Sequence, residues 1–385
     1  MALKGLQVIE LAGLAPAPFC GMVLADFGAS VIKIERAGDG GGGFERLDCL
    51  ANGKKSLALN LKSPKGVQIL RKLCSGSDVL IEPYRKGVME KLGLGPNVLL
   101  SDNPRLVYAR LTGFGQSGPF SEMAGHDINY LAMSGLLSLM GRKSDAPIAP
   151  LNLAADFGGG GLMCALGILM ALLERHKSGK GQVIDASMVE GVAYLGSWLF
   201  RSQHLPFWGQ PRGQNLLDTG THFYETYETK DGKYLAVGAL EPQFYLKLLE
   251  GLGLSESEVS QFGDHESKKN IFAKRFKEKT LKEWCEVFDM TDACVTPVLS
   301  VQEAHEHPHN VERQSFVQFS DSSYMVPKPA PQLSRTPGKS MASLPSPSVG
   351  QHTRDILRTL GFTPSEITNL EKEGIVKSVS DKAKL

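Results

Sequence analysis

Leu6-Gln7-Val8-Ile9-Glu10-Leu11, Ala12 to Pro18, Phe19 to Phe27 with Gly28 behind it, and Val31-Ile32-Lys33-Ile34-Glu35 form the stretch that decides the fold class. The first and last segments are short apolar runs of strand length. The middle one has amphipathic helical spacing, and Gly28 supplies its stop. Strand, helix and strand in this order make a βαβ unit, the opening of a doubly wound parallel sheet. The turn after the first strand reads Gly13-Leu14-Ala15-Pro16-Ala17-Pro18. It lacks the G-x-G-x-x-G spacing, so no dinucleotide site is expected.

Working outward, the same grammar repeats. Leu57 to Lys62 reads as extended, and Ser63-Pro64 opens a helix through Leu73. Asp78 to Glu82, Leu106 to Leu111 and Gln182 to Met188 are further strands, and a helix follows from Val189 to about Gln203. Beyond an irregular connection, Phe223 to Thr229 and Lys233 to Ala239 flank Asp231-Gly232, a strong hairpin turn. Helical sequence then starts at Pro242 and runs to Asp289, and Asp292 to Val298 is extended again. Residues 325–349, rich in proline and serine, read as an extended connector. Thr363-Pro364-Ser365-Glu366 is a capping box for a last helix. The fold class expected is α/β, a doubly wound large domain with a smaller α+β domain.

Composition limits the function. The chain has 385 residues and a hydrophobic content of 42%, enough for two or three domains with a large core. With 42 Lys+Arg against 41 Asp+Glu it has no global field for nucleic acid, so an anion site must be a local cluster. Cys20, Cys49, Cys74, Cys164, Cys285 and Cys294 show no C-x-x-C spacing, which argues against zinc or a disulfide framework. His305, His307 and His309 alternate, but Pro308 and the polar context favour a loop over a metal site. A strand from Leu6 onward leaves no room for a signal peptide at this start. The longest clean apolar run, Leu162 to Leu173, is too short to span a bilayer, and its helix is expected to be buried.

Basic residues recur after the strands: Arg36, Lys54, Lys55, Lys62, Arg85, Lys86 and Lys91. Each alone reads as a solvated surface charge. Several at the strand ends of one sheet can converge on a phosphate. The segment Gly125 to Gly161 holds the other candidate chemistry. It opens with Gly125-His126-Asp127-Ile128-Asn129-Tyr130 and closes with Asp156 before Gly158 to Gly161. Spacing alone reads His126 and Asp156 as residues next to helix starts, with Asp156 near the cap of the helix from Leu162.

Five stretches carry a resemblance over essentially the whole chain. They are Gly13-Leu14-Ala15-Pro16, Tyr108 to Gly115, Gly125 to Tyr130, Gly179-Lys180-Gly181-Gln182, and Asp292 to Pro297. In these the sequence resembles the family III CoA-transferase superfamily, and within it the branch that racemises 2-methylacyl-CoA thioesters. The Gly40 to Gly43 run matches no family motif. The resemblance implies a large domain over 1–200 and 350–385, connectors at 201–222 and 325–349, and a small domain over 223–324. It also implies two interlocked copies of the chain, a homodimer with shared active sites.

By resemblance, His126 and Asp156 are the catalytic pair, and Glu241 supports the histidine. Arg36, Leu59, Asn60, Leu61, Lys62, Arg85, Lys91, Gly125, Asp127, Ile128, Asn129 and Tyr130 hold the CoA part of an acyl-CoA substrate. Met188 is the candidate acyl contact, its thioether offering an adaptable surface. The reaction implied interconverts (2R)- and (2S)-2-methylacyl-CoA through an enolate, with one base on each face and no metal or organic cofactor. The alternative is a CoA transferase with Asp156 as nucleophile, and a third reading is a CoA-binding scaffold. The C-terminal Ala383-Lys384-Leu385 approaches the S-K-L signal read by the peroxisomal import receptor. A peroxisomal address, and by resemblance a mitochondrial one, is therefore expected, with roles in branched-chain fatty acid and bile acid metabolism.

Overall fold

The computed structural model describes residues 1–38, 48–320 and 322–379. The Gly40 to Gly43 run and the C-terminal tripeptide lie outside them. The opening βαβ unit forms as expected: β1 (Gln7–Leu11), α1 (Pro16–Asp26) and β2 (Ser30–Arg36). Pro16 stands in the first turn of α1, and Gly28 turns the chain from α1 toward β2 at φ 110°. There follow β3 (Lys55–Leu59), α2 (Pro64–Ser75), β4 (Val79–Glu82), α3 (Val88–Lys91), α4 (Pro96–Asp102), β5 (Val107–Thr112) and α5 (Asp127–Met133). A π-helical stretch, Leu153–Leu162, runs directly into α6 (Met163–Ser178). Then come β6 (Val183–Ser187) and α7 (Met188–Leu195).

The strands assemble in the order β3-β2-β1-β4-β5-β6, all parallel. This is the doubly wound order, with its reversal between β1 and β4. Gly13 after β1 and Pro83 after β4 meet there so tightly that a Cβ at Gly13 would lie 2.6 Å from the proline ring. Every residue of β4 and β5 is buried, as expected of parallel strands covered on both faces.

The second unit holds α8 (Ser197–Ser202), a hairpin of β7 (Tyr224–Glu228) and β8 (Tyr234–Gly238), α9 (Pro242–Leu252), α10 (His265–Phe276), α11 (Leu281–Phe288) and β9 (Val295–Pro297) on the edge of β8. Gly232 takes the positive φ of 72° that the hairpin turn requires. Its core is aromatic, with Tyr245, Phe272, Phe276 and Trp284 almost fully buried. The Trp284 indole N–H donates to the Phe276 carbonyl at 2.8 Å.

The chain then returns to the first unit through α12 (Pro308–Glu312), β10 (Phe316–Gln318), β11 (Met325–Pro327), α13 (Thr353–Thr359), α14 (Pro364–Lys372) and β12 (Val376–Lys377). β12 adds antiparallel to the β3 edge. The Thr363 capping box forms, its N–H donating to Glu366 Oε2 at 2.7 Å. The first unit thus comprises Met1–Ser134, Leu151–Leu195 and Pro308–Leu385, and the second Gly135–Pro150 and Gly196–His307.

Several details depart from the sequence reading. Residues 135–150 cluster with the second unit, where Arg142 makes two 2.8 Å bonds to the Glu225 carboxylate. Residues 308–324 cluster with the first, since β10 pairs with β11. The start of the expected connector is therefore a strand. The helix after β6 breaks at Gly196, where a Cβ would lie 2.5 Å from Leu136. Lys54 is only 3% exposed: it is no surface charge, but an ion-pair partner of Glu10 at 2.7 Å. All six cysteines are free. Among the described residues no cluster suits a metal, and Pro308 begins a short helix instead.

Candidate active site

His126 and Asp156 both belong to the first unit, on two elements that pack together. His126 is the N-cap of α5 and is exposed. Its backbone N–H donates to Asn129 Oδ1 at 3.0 Å, and its carbonyl accepts from the Asn129 N–H at 2.8 Å. This reciprocal turn sets where the imidazole leaves the backbone. Tyr130, 6% exposed, donates its hydroxyl to the Gly125 carbonyl. Its ring also explains two motif glycines, because a Cβ at Gly113 or Gly125 would lie 2.1 or 2.7 Å from it. The segment Gly125 to Tyr130 is therefore a closed loop built around one tyrosine.

Asp156 does not stand at a cap ahead of a glycine loop. It lies in the first turn of the π-helical stretch, and Gly158 to Gly161 are inside a helix that continues to Ser178. The glycines serve packing. A Cβ at Gly159 would lie 2.4 Å from the Val192 backbone nitrogen, and one at Gly161 2.7 Å from the Pro16 carbonyl oxygen. Backbone contact with α7 and α1 replaces side-chain contact, and tertiary packing overrides the low helix propensity of glycine. π-Helical turns are uncommon and recur at functional sites. Phe157 packs edge-on against Phe19 of α1, with ring centroids 5.1 Å apart.

Burial pushes the Asp156 carboxyl up to about 6. A weak bond from the Asn152 amide at 3.4 Å opposes this, the Asp127 carboxylate adds to it, and His126 lowers it slightly. Two acids and a histidine thus share one electrostatic neighbourhood. Met188 opens α7 against the same stretch, and a Cβ at Gly160 would lie 2.9 Å from its side chain.

The candidate CoA positions fall in several places. Arg36 is exposed at the carboxyl end of β2, in register with Leu59 of β3. Lys62 is exposed just beyond. Asn60 donates its N–H to the Ile375 carbonyl at 2.8 Å, and its Oδ1 accepts from the Lys62 N–H at 3.1 Å. Leu59 is 1% exposed and Leu61 packs against the sheet core, so neither side chain faces solvent freely. Arg85, after β4, is exposed and reaches the Glu122 carbonyl at 3.3 Å. Lys91 is exposed at the end of α3, and Ile128 and Asn129 are exposed on α5. Asp127 is 4% exposed, and its carboxylate is engaged inside the protein. Glu241 stands in the second unit as the N-cap of α9.

A sheet of this order, with basic side chains beyond its strand ends and a His/Asp neighbourhood beside it, defines the class: the chain belongs to CoA-transferase family III, which residues 3–353 match. Over all of its length it is 58% identical to mouse alpha-methylacyl-CoA racemase and 55% identical to the human alpha-methylacyl-CoA racemase, covering 100% of each. A crystal structure of a CAIB/BAIF family protein from Brucella suis superposes with a TM-score of 0.76 at 24% identity, over 93% of this chain and 99% of that one. That likeness bears on the fold.

Proposed function

We infer that this chain is an isomerase that interconverts the 2R and 2S epimers of 2-methylacyl-CoA thioesters. The observation that carries the reading is identity above one half, end to end, with racemases of two organisms. A thioester acidifies its α-proton, and epimerisation needs removal on one face and return on the other. His126 and Asp156 have complementary chemistry for this only when one holds a proton and the other does not. Burial raises the affinity of Asp156 for a proton, so both forms of its carboxyl are within reach near neutral pH, and in one direction of the reaction Asp156 is the acid and His126 the base. After turnover in that direction His126 is cationic and Asp156 ionised, so the pair must redistribute its proton before the next cycle. The enolate oxygen requires donors, and the first N–H groups of α5 are the nearest candidates in sequence.

Arg36, Lys62, Arg85 and Lys91 are assigned to the phosphates of CoA, with the backbone of residues 59–62 beside them. Leu59 and Asp127 contribute no side chain to that contact. Met188 is assigned to the acyl group, and Glu241 to support of His126. The transferase alternative uses an ionised Asp156 as nucleophile and has no need of a second base, whereas the racemase uses both His126 and Asp156. Heavy water separates the readings. The pure enzyme should exchange the α-proton of a 2-methylacyl-CoA without an acceptor acid. In His126→Ala one epimer should lose exchange by about 100-fold or more, and in Asp156→Ala the other. Transfer of CoA to an added acid without exchange would overturn the racemase.

Leu166, Leu169, Met170 and Leu173 are exposed on α6, as is Leu162 just before it, against the expectation of a buried helix. The helix Leu153–Ser178 is, by length and composition, able to cross a membrane. A second copy of the chain is the proposed cover for this apolar face, to be checked by sedimentation without detergent. The address Ala383-Lys384-Leu385 is tested by its deletion, which should leave catalysis intact and move the protein to the cytosol.

A further inference from the structure

Asp127 is the residue after His126, yet its side chain turns away from solvent. Its Oδ2 accepts the Ala155 N–H at 2.7 Å and the Asp156 N–H at 2.8 Å. Its Oδ1 is buried and has no hydrogen-bond partner among the described residues. Two donors on one oxygen suit a carboxylate, whereas a carboxylic acid needs an acceptor for its proton. No lysine or arginine among the described residues makes an ion pair with it. One side chain therefore joins the loop of His126 to the backbone of Asp156.

Resting on the racemase reading above, we propose that Asp127 is a positioning residue, whose buried carboxylate clamps the backbone of Asp156 at a fixed place relative to His126 and sets a negative charge beside it. The groups around Asp156 make this specific. From α5 come His126, Asp127 and Tyr130, and from its own helix Asn152. The atoms that α1 and α7 bring nearest to the glycines of the π-helical stretch belong to Pro16, Phe19, Cys20, Met188, Val192 and Leu195, and Cys20 approaches through its backbone nitrogen. Asp127 is thus the negative charge acting on Asp156, and His126 the opposing partner. The clamp serves reaction geometry as well, since small misplacements of a reacting group are costly.

The test separates charge from geometry. Asp127→Asn keeps an acceptor oxygen for both N–H groups and removes the charge, and Asp127→Ala removes both. The protonated Asp156 carboxyl is followed by infrared titration of the full-length protein, its band assigned by subtraction of Asp156→Asn. In Asp127→Asn that titration should move down by about one pH unit, with KM for a 2-methylacyl-CoA little changed. In Asp127→Ala kcat should fall further, by about 10- to 100-fold. An Asp156 titration unmoved in Asp127→Asn overturns the proposal. If the Asn variant does not fold, Asp127→Ser, also an uncharged acceptor, reads the same shift. The titration needs no turnover, so an enzyme that exchanges no α-proton would sink the racemase reading while the link between the two aspartates stands or falls separately.

Discussion

Glu10 and Glu82 lie inside the first unit with no exposed surface, and each faces a cation: Lys54 at 2.7 Å and Arg110 at 2.9 Å. Asp127 and Asp156 are acids of the same unit, and what Asp156 faces is Asp127 and a histidine. Burial raises the proton affinity of Glu10, Glu82 and Asp156 alike. In the first group the neighbouring cation opposes burial, and in the second the neighbouring acid reinforces it. The Glu10 pair joins β1, the residue ahead of β3 and α1, since Lys54 Nζ also donates to the Pro18 carbonyl at 2.9 Å. A Cβ on Gly21 of α1 would strike the Glu10 carboxylate. A compensated charge is thus a structural fastener. An uncompensated one is held at a cost to stability, which is common where chemistry needs a carboxylic acid near neutral pH.

The largest effect is expected at the Glu10–Lys54 fastener. Lys54→Met leaves Glu10 buried without its partner, and urea denaturation should read a loss of about 3–5 kcal/mol. Adding Glu10→Leu should recover much of that loss. A single-variant loss below about 1 kcal/mol would mean that the pair is no fastener.

The next effect has the opposite sign and depends on pH. The Asp156 carboxyl is raised from its ordinary value of 3.8 to about 6 in the folded protein. The folded state therefore binds the proton more tightly than the unfolded one between these values. Its contribution is full below about 4, declines as pH rises through 6, and stays lost above. Asp156→Asn removes this dependence. It should be more stable than the wild type at pH 8 by about 1–2 kcal/mol, after allowance for partial solvent screening, and show no gain at pH 4. Thermal melts at the two pH values decide it, and an equal shift at both would remove the charge argument.

The smallest effect sharpens the contrast. Lys65 and Glu373 also form an ion pair at 2.6 Å, but their side chains are 56% and 45% exposed. Lys65→Ala should change stability by about 0.5 kcal/mol or less. A loss near that of Lys54→Met would show that pairing alone, without burial, sets the energy.

The elements were legible because local chemistry specifies them. Apolar runs mark β1, β2, β4 and β5, Asp231-Gly232 marks the hairpin, and Thr363 with Glu366 marks the last helix. Of the candidate site, the resemblance pointed to Asp127 only as part of a CoA segment, and no local signal marks its buried side chain. Lys54 read as a surface charge for the same reason: its partner Glu10 is 44 residues away.

Strands, caps, turns and the family motif around His126 and Asp156 follow from the amino-acid order alone, since each rests on neighbours within a few residues. That the glycine run after Asp156 is helical comes instead from long-range packing. Glycine is a poor helix former in isolation, yet at Gly159 and Gly161 it alone admits the backbones of α7 and α1, and that packing outweighs the propensity. The tertiary structure also decided which acids are paired with cations and which with each other, because electrostatic energy depends on distance in space and on burial, and neither can be read along the chain.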